Sequence, residues 1–577
     1  MKKRSLSFMM AALMVGSMAT GCGSASNQAA TTAAAGGSSD TATTAAKDSG
    51  AGSDTGASAG TTEGATDIDT STFFKLVGDN PDIVDPQCTS DYYAIPMNCF
   101  DRLVEVKKND DGTSELVPSL AKSWDISSDG LTYTFHLEEG VKYQNGADFT
   151  ASDVLYTFNR LLTYPKSVND DIADDIKGAQ DVKDGKAKSL AETGGITVVD
   201  DHTVQFTLES PYAAFLAELT VPGASILDED TTEAAGDQFG IDPSVTIGTG
   251  PFIFSSWTFN SEMILTANKD CWSGAPKCDG IDFKIVPDEE TQRMMFENGE
   301  LDLLDLDNAP SQVDYFLQSD KYKDSIVQGP RVGVYYVTFN ENIEPLQDVK
   351  VRKALQMSID RQAILDALYG GRGQLENGIL PHGLIGFNAD LPEIKYDVEG
   401  AKKLLADAGY ADGFDLELDL SSDSDATGKN LMDILSSMWG EIGVRCTVKT
   451  IDEATLQDTK HQGELGTYSS SWSADFNDPD NFMYTFFGSD ANTKFRSLNY
   501  KNEDAISRVN AARSIVDEDA RIKEYQDLEK IIIQDDAAWL PLYSKEHLFV
   551  VGPGVTGFSV SWNGWSNGYY RDVAVAR

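Results

Sequence analysis

Cysteine, histidine and positive charge are all scarce in this chain. Its 577 residues hold six cysteines and five histidines, and 46 Lys+Arg face 92 Asp+Glu. No C-x-x-C pair occurs, which excludes zinc-ribbon and thioredoxin-type sites. The histidines (136, 202, 382, 461 and 547) are scattered and none lies in an H-E-x-x-H pattern, so no metal site or other cofactor is expected. The formal net charge of −46 would repel nucleic-acid phosphates, and no basic face is visible. The same charge disfavours adsorption to anionic lipid. Beyond residue 22 no stretch reaches the roughly 18 apolar residues of a membrane span. What is present is ample core material. Hydrophobic residues make up 41% and aromatics 10%, so most of the chain is expected to fold. At roughly 150 residues per domain, the length suggests three or four domains or lobes.

The N-terminus reads as an export signal over residues 1–22. Lys2, Lys3 and Arg4 form a positive region, and Leu6 to Thr20 form an apolar run too short to span a bilayer. The run ends in Ala19-Thr20-Gly21-Cys22, which resembles a bacterial lipobox. That resemblance implies that Cys22 becomes the lipid-modified, palmitate-type N-terminus and the sole membrane anchor. Residues 23–72 contain no aromatic side chain and are Ala, Thr, Ser and Gly with scattered Asp. They are expected to form a disordered tether. Gly56-Ala57-Ser58-Ala59-Gly60 spells a hydrolase nucleophile elbow, but that turn needs a strand before it and a helix after it. A tether offers neither.

From Phe73 onward the pattern alternates between strand and helix periods. Leu131, Tyr133, Phe135 and Leu137 alternate with polar residues behind the turn Ser127-Ser128-Asp129-Gly130, which predicts a hairpin strand. Thr150 with Asp153 predicts a capped helix carrying Val154, Phe158, Leu161 and Leu162 on one face. Asp348 is expected to open one long helix through Ile364, closed by Gly370-Gly371. Asp397 caps another helix, followed by a strand at 414–420, a helix through Leu431 to Trp439 and a strand at 444–448. Such runs imply α/β lobes. Cys271 and Cys278 could form a bridge in an exported protein or stay as buried thiols.

Four blocks in sequence resemble bacterial extracellular solute-binding proteins of family 5, the peptide-, nickel- and glycoside-binding receptors of ABC importers. They are Leu120 through Tyr156, Gly248-Thr-Gly-Pro-Phe252, Pro345 through Arg361, and Tyr396 through Tyr410. The resemblance implies a two-lobed α/β fold of the periplasmic-binding-protein type, with the ligand cleft between lobes. Lobe 1 would take 73–335 with a subdomain at about 107–243, lobe 2 would take 336–545, and 546–577 would return to lobe 1. The implied function is capture of extracellular peptides and delivery to a permease by a monomeric receptor that is not an enzyme. Oligosaccharides, opines, nickel chelates and haem are the alternative solutes; a secreted hydrolase is a more distant alternative.

Asp458 to Gly463 and Trp472-Ser-Ala-Asp475-Phe-Asn-Asp-Pro479 look like the oligopeptide-binding members. The resemblance assigns Asp475 to the peptide's α-ammonium, Trp472 to its side, and the backbone of Ser471 and Ser473 to an added-strand pairing. Ser90, Asp91 and Tyr92 would oppose them from lobe 1, and Lys460 would supply a basic group. Ser469 stands where some relatives carry an Arg. A turn cap is the other reading of Asp475, and core packing the other reading of Trp472.

Overall fold

A computed structural model describes residues 68–90, 92–109, 114–565 and 568–577. The proposed leader, Cys22, nearly all of the tether, the Gly56–Gly60 motif and Asp91 lie outside the described residues. Among the described residues no helix is long and apolar enough to cross a membrane.

The described chain is a two-lobed, mixed α/β molecule organised by three sheets. A seven-stranded sheet runs in the order Ile326–Pro330, Glu546–Val551, Leu303–Asp305, Phe74–Gly78, Gly280–Ile285, Glu262–Ala267, Phe252–Thr258. Phe74–Gly78 pairs in parallel with both neighbours, while the remaining pairs are antiparallel. A four-stranded antiparallel sheet, Ala121–Ile126, Thr132–Leu137, Thr203–Thr207 and Ile196–Asp200, packs on helix Ala151–Thr163. The third sheet runs Gln374–Leu375, Trp539–Ser544, Gly333–Thr338, Ser469–Ser473, all antiparallel. Beside it, the parallel strands Asp415–Ser421 and Arg445–Ile451 are joined by helix Ala426–Gly440.

Local chemistry accounts for these elements. Residues 133, 135 and 137 point inward and their neighbours outward, the two-residue period of a half-buried strand. Gly130 takes φ +69° in the hairpin turn, where a side chain would be strained. Thr150 and Asp153 form the reciprocal cap that closes the open N–H groups of helix Ala151–Thr163. The expected single helix after Asp348 is two helices, Val349–Met357 and Arg361–Tyr369. Asp360 accepts from Ala363 N and starts the second, so the chain bends at Ser358–Asp360 although the apolar spacing runs on. Cys271 and Cys278 are free thiols, as are Cys88, Cys99 and Cys446.

The chain passes from the seven-stranded sheet to the third sheet at Pro330–Gly333 and back at Ser544–Glu546. These two crossings lie side by side, with Arg331 N donating to Lys545 O at 3.1 Å. Arg331 Nη2 and Lys545 Nζ both reach Asp307 Oδ2, at 2.8 and 3.1 Å. The buried His547 lies between Gly564 O and Asp305 Oδ1. Folding therefore gathers Asp305, Asp307 and His547, a set with metal-ligand potential. Two basic side chains of the protein itself balance its Asp307.

Candidate functional site

A cleft of about 570 Å³ opens between two walls of the molecule. One wall comes from Ser90 and Tyr93 and from segments between Val168 and Gly223; the other comes from Trp472 through Arg513, with Trp565 at the edge. The first wall belongs to loops around the antiparallel four-stranded sheet. The second belongs to the end of strand Ser469–Ser473 and the helices that follow it.

Strand Ser469–Ser473 is the edge of its sheet. Thr338 N donates to Tyr468 O and Ala474 N donates to Val332 O. The even-numbered residues thus exchange backbone bonds with Gly333–Thr338. In an antiparallel pair the odd-numbered ones then face off the sheet. The backbone of Ser471 and Ser473 is among those outward groups. Their side chains are not part of the cleft lining.

Beyond the strand, the chain turns at Phe476–Pro479 into helix Asp480–Phe487. Three carboxylates sit in this turn, and their partners differ. Asp478 pairs with Arg521 at 2.6 Å. Asp480 accepts from Tyr525 Oη at 2.7 Å and from Arg513 Nε at 3.2 Å. Asp475 accepts only from the neutral Asn481 Nδ2, at 3.0 Å, among the described residues. The backbone N–H of Asp480 is capped by Asp478, not by Asp475. Burial pushes the Asp475 carboxyl up to about 6; the Asn481 bond and Arg496 pull it down, and Asp171 pushes it further up.

Asn481 also clips Trp472, whose Nε1 donates to Asn481 O at 3.1 Å and Oδ1 at 3.2 Å. The indole meets Phe486 edge to face at 5.6 Å and so belongs to the core as well as to the cleft. The Arg496 guanidinium lies over Trp472 at 4.6 Å and over Phe486 at 5.0 Å. Arg496 makes no ion pair among the described residues, and its Nε is buried without a hydrogen-bond partner. Among the described residues, Asp475 and Arg496 thus face this end of the cleft without an ion-pair partner of the chain's own.

Arg513 is different, because it bridges the walls. Its guanidinium is held between the rings of Tyr212, at 4.1 Å, and Tyr484, at 4.0 Å. It pairs with Asp175 of the first wall at 2.7 Å and with Asp480 of the second at 3.2 Å. Its carbonyl accepts from Ala213 N at 3.0 Å.

Of the residues singled out in the sequence, Ser90, Trp472 and Asp475 line this cleft. Tyr92 and Lys460 do not. Tyr92 is 4% exposed and turns under the seven-stranded sheet, with its hydroxyl near Gly78; Tyr93 takes the cleft position and stacks on Trp565 at 5.9 Å. Lys460 ends helix Glu453–His461, where burial and Arg496 lower its affinity for a proton. Asp171, Glu218, Arg496 and Arg513 were missed. They come from four separate segments and share no spacing, so no local motif could have found them.

A family model described as bacterial extracellular solute-binding proteins, family 5 middle, matches residues 115–494. The heme-binding protein A of Haemophilus influenzae is 30% identical over 491 residues, covering 83% of this chain and 87% of that protein. The dipeptide-binding protein of Escherichia coli is 30% identical over 477 residues, covering 80% and 86%. Among solved structures, the periplasmic binding protein DppA of Helicobacter pylori, in complex with the peptide STSA, superposes with TM-score 0.69 at 26% identity. It covers 88% of this chain and 98% of that one.

Proposed function

Because this chain belongs to the bacterial extracellular solute-binding proteins of family 5, we propose that it captures extracellular peptides between its lobes and hands them to the permease of an ABC importer. A lipid on Cys22 would tether it to the outer face of the cell membrane. Lobe 1 would comprise 73–335, with the subdomain 107–243 and the returning tail 546–577, and lobe 2 would comprise 336–545. The paired crossings near Arg331 and Lys545 would act as the hinge.

Asp475 carries this reading. It is a half-buried carboxylate facing a cleft, with no cation bonded to it among the described residues, at the end of an edge strand whose outer backbone is open. A peptide supplies what each lacks. Its α-ammonium would meet Asp475, its backbone would add to Ser471 and Ser473, and its carboxylate would meet Arg496. Ser90, Tyr93 and Trp472 would flank the chain. Backbone recognition of this kind is tolerant of side-chain identity and strict about a free N-terminus.

The test is a double-mutant cycle of Asp475→Asn against N-acetylation of the peptide, read by calorimetry, with haem titrated in parallel. Each single change should weaken binding by roughly two to three decades, the cost of stranding one charge of a buried pair. The two together should cost little more than one. Losses that add independently, or tight haem binding with no peptide binding, would sink the reading.

A further inference from the structure

The charges of the cleft do not balance for an ordinary peptide. On the first wall, Asp174 pairs with Lys183 at 2.5 Å and Asp175 with Arg513 at 2.7 Å. Asp171 and Glu218, which line the same wall, form no ion pair among the described residues. The Glu218 Oε2 atom is sealed from solvent and has no hydrogen-bond partner. A zwitterionic peptide bound as proposed above would satisfy Asp475 and Arg496 and leave these two carboxyls facing it unmatched.

Resting on the peptide reading, we propose that the cleft selects peptides carrying a cationic side chain, lysine or arginine, which is received by Asp171 and Glu218. The chemistry fits from both sides. A long basic side chain brings an aliphatic stem for the aromatic walls at Tyr93, Tyr212 and Trp565 and a charged head for the carboxyls. A neutral side chain would leave the Glu218 oxygen as it stands in the empty cleft, without a donor, and an acidic one would add a like charge beside both carboxyls. In the empty cleft, burial and the neighbouring Asp175 and Asp171 hold the Glu218 carboxyl well above its ordinary range, against the pull of Arg513. An arriving cation favours the ionised form, so binding should release a proton.

Tripeptides with lysine, norleucine or glutamate at each position in turn, in an alanine background, provide the test. At one position lysine should bind about tenfold or more tighter than norleucine, with glutamate weakest. Calorimetry in two buffers of different ionisation enthalpy should show more proton release for the lysine peptide than for norleucine, which shares only the Asp475 contribution. Glu218→Gln and, separately, Asp171→Asn should shrink the ratio of lysine-peptide to norleucine-peptide affinity, whatever they do to binding of both. Equal affinity for lysine and norleucine at every position overturns the cationic selection and leaves the peptide reading standing. Failure of every tripeptide to bind overturns both.

Discussion

Replacing Asp175 with Asn should make the lobes open more readily, because Asp175 supplies the first wall's half of the Arg513 bridge. When the walls separate, Arg513 keeps Asp480 and Tyr484, which travel with it, and loses Asp175 and Tyr212. A hydrogen bond to a charged group is worth about 1.5–3 kcal/mol net, and a desolvated cation–π contact roughly 0.5–2 kcal/mol. Asn keeps the Tyr212 contact and one neutral hydrogen bond, so the variant forfeits about half of the charged bond, roughly 0.8–1.5 kcal/mol. That corresponds to a shift of about four- to thirteenfold from closed toward open. Small-angle scattering of the ligand-free variant should show a larger radius of gyration, and peptide should dissociate about tenfold faster. The control is Asp480→Asn. Its partner stays on the same wall in both states, so it should lower global stability with little effect on closure. A double-mutant cycle with Arg513→Gln should give a coupling between positions 175 and 513 in the dissociation rate. If the Asp175→Asn protein keeps the wild-type radius and dissociation rate, the bridge does not govern closure.

Asp475 gives two pH-dependent predictions of opposite benefit. Its folded-state value of about 6 lies above the ordinary 3.8, so the ligand-free fold is penalised as pH rises through that interval, by up to about 3 kcal/mol above pH 6. Ligand-free Asp475→Asn should therefore be more stable than wild type at pH 7, the gap closing near pH 4; equal melting temperatures at pH 7 would contradict the assignment. Peptide affinity should fall about tenfold between pH 7 and pH 5 as the carboxylate takes up its proton, and a flat profile in the wild type would count against the contact. Separately, Cys22→Ala should release the protein into the medium, since stable retention needs lipid; a variant still membrane-bound after salt washing would refute the lipoprotein reading.

Much of the fold was legible because local chemistry repeats itself. The hairpin before Leu131, the Thr150–Asp153 cap and the parallel unit through 415–451 each carry their own pattern of apolar period and capping residue. The break at Ser358–Asp360 was hidden, since the apolar spacing continues across it and only the Asp360 side chain marks a new start. At the site, Trp472 and Asp475 were visible in one short block. The sequence points to Tyr92, whereas Tyr92 is buried and Tyr93 lines the cleft, a step of one residue that in irregular chain exchanges the core side for the cleft side. Asp171, Glu218, Arg496 and Arg513 meet only through tertiary folding. What identifies them is the sum of charges in one enclosed space, a quantity no linear reading contains.

The unpaired edge of strand Ser469–Ser473 has a cost outside ligand capture. A row of open backbone donors and acceptors is a template onto which any extended chain can grow, including a second copy of this one. Here the strand is only five residues long, its end is recessed in the cleft, and carboxylates of both walls surround that end. Like-charged rims repel another copy of so acidic a protein while admitting a short basic chain. The device that would select the cargo would thus also guard the receptor against self-assembly, and conditions that neutralise the rim should be the ones under which concentrated protein first aggregates.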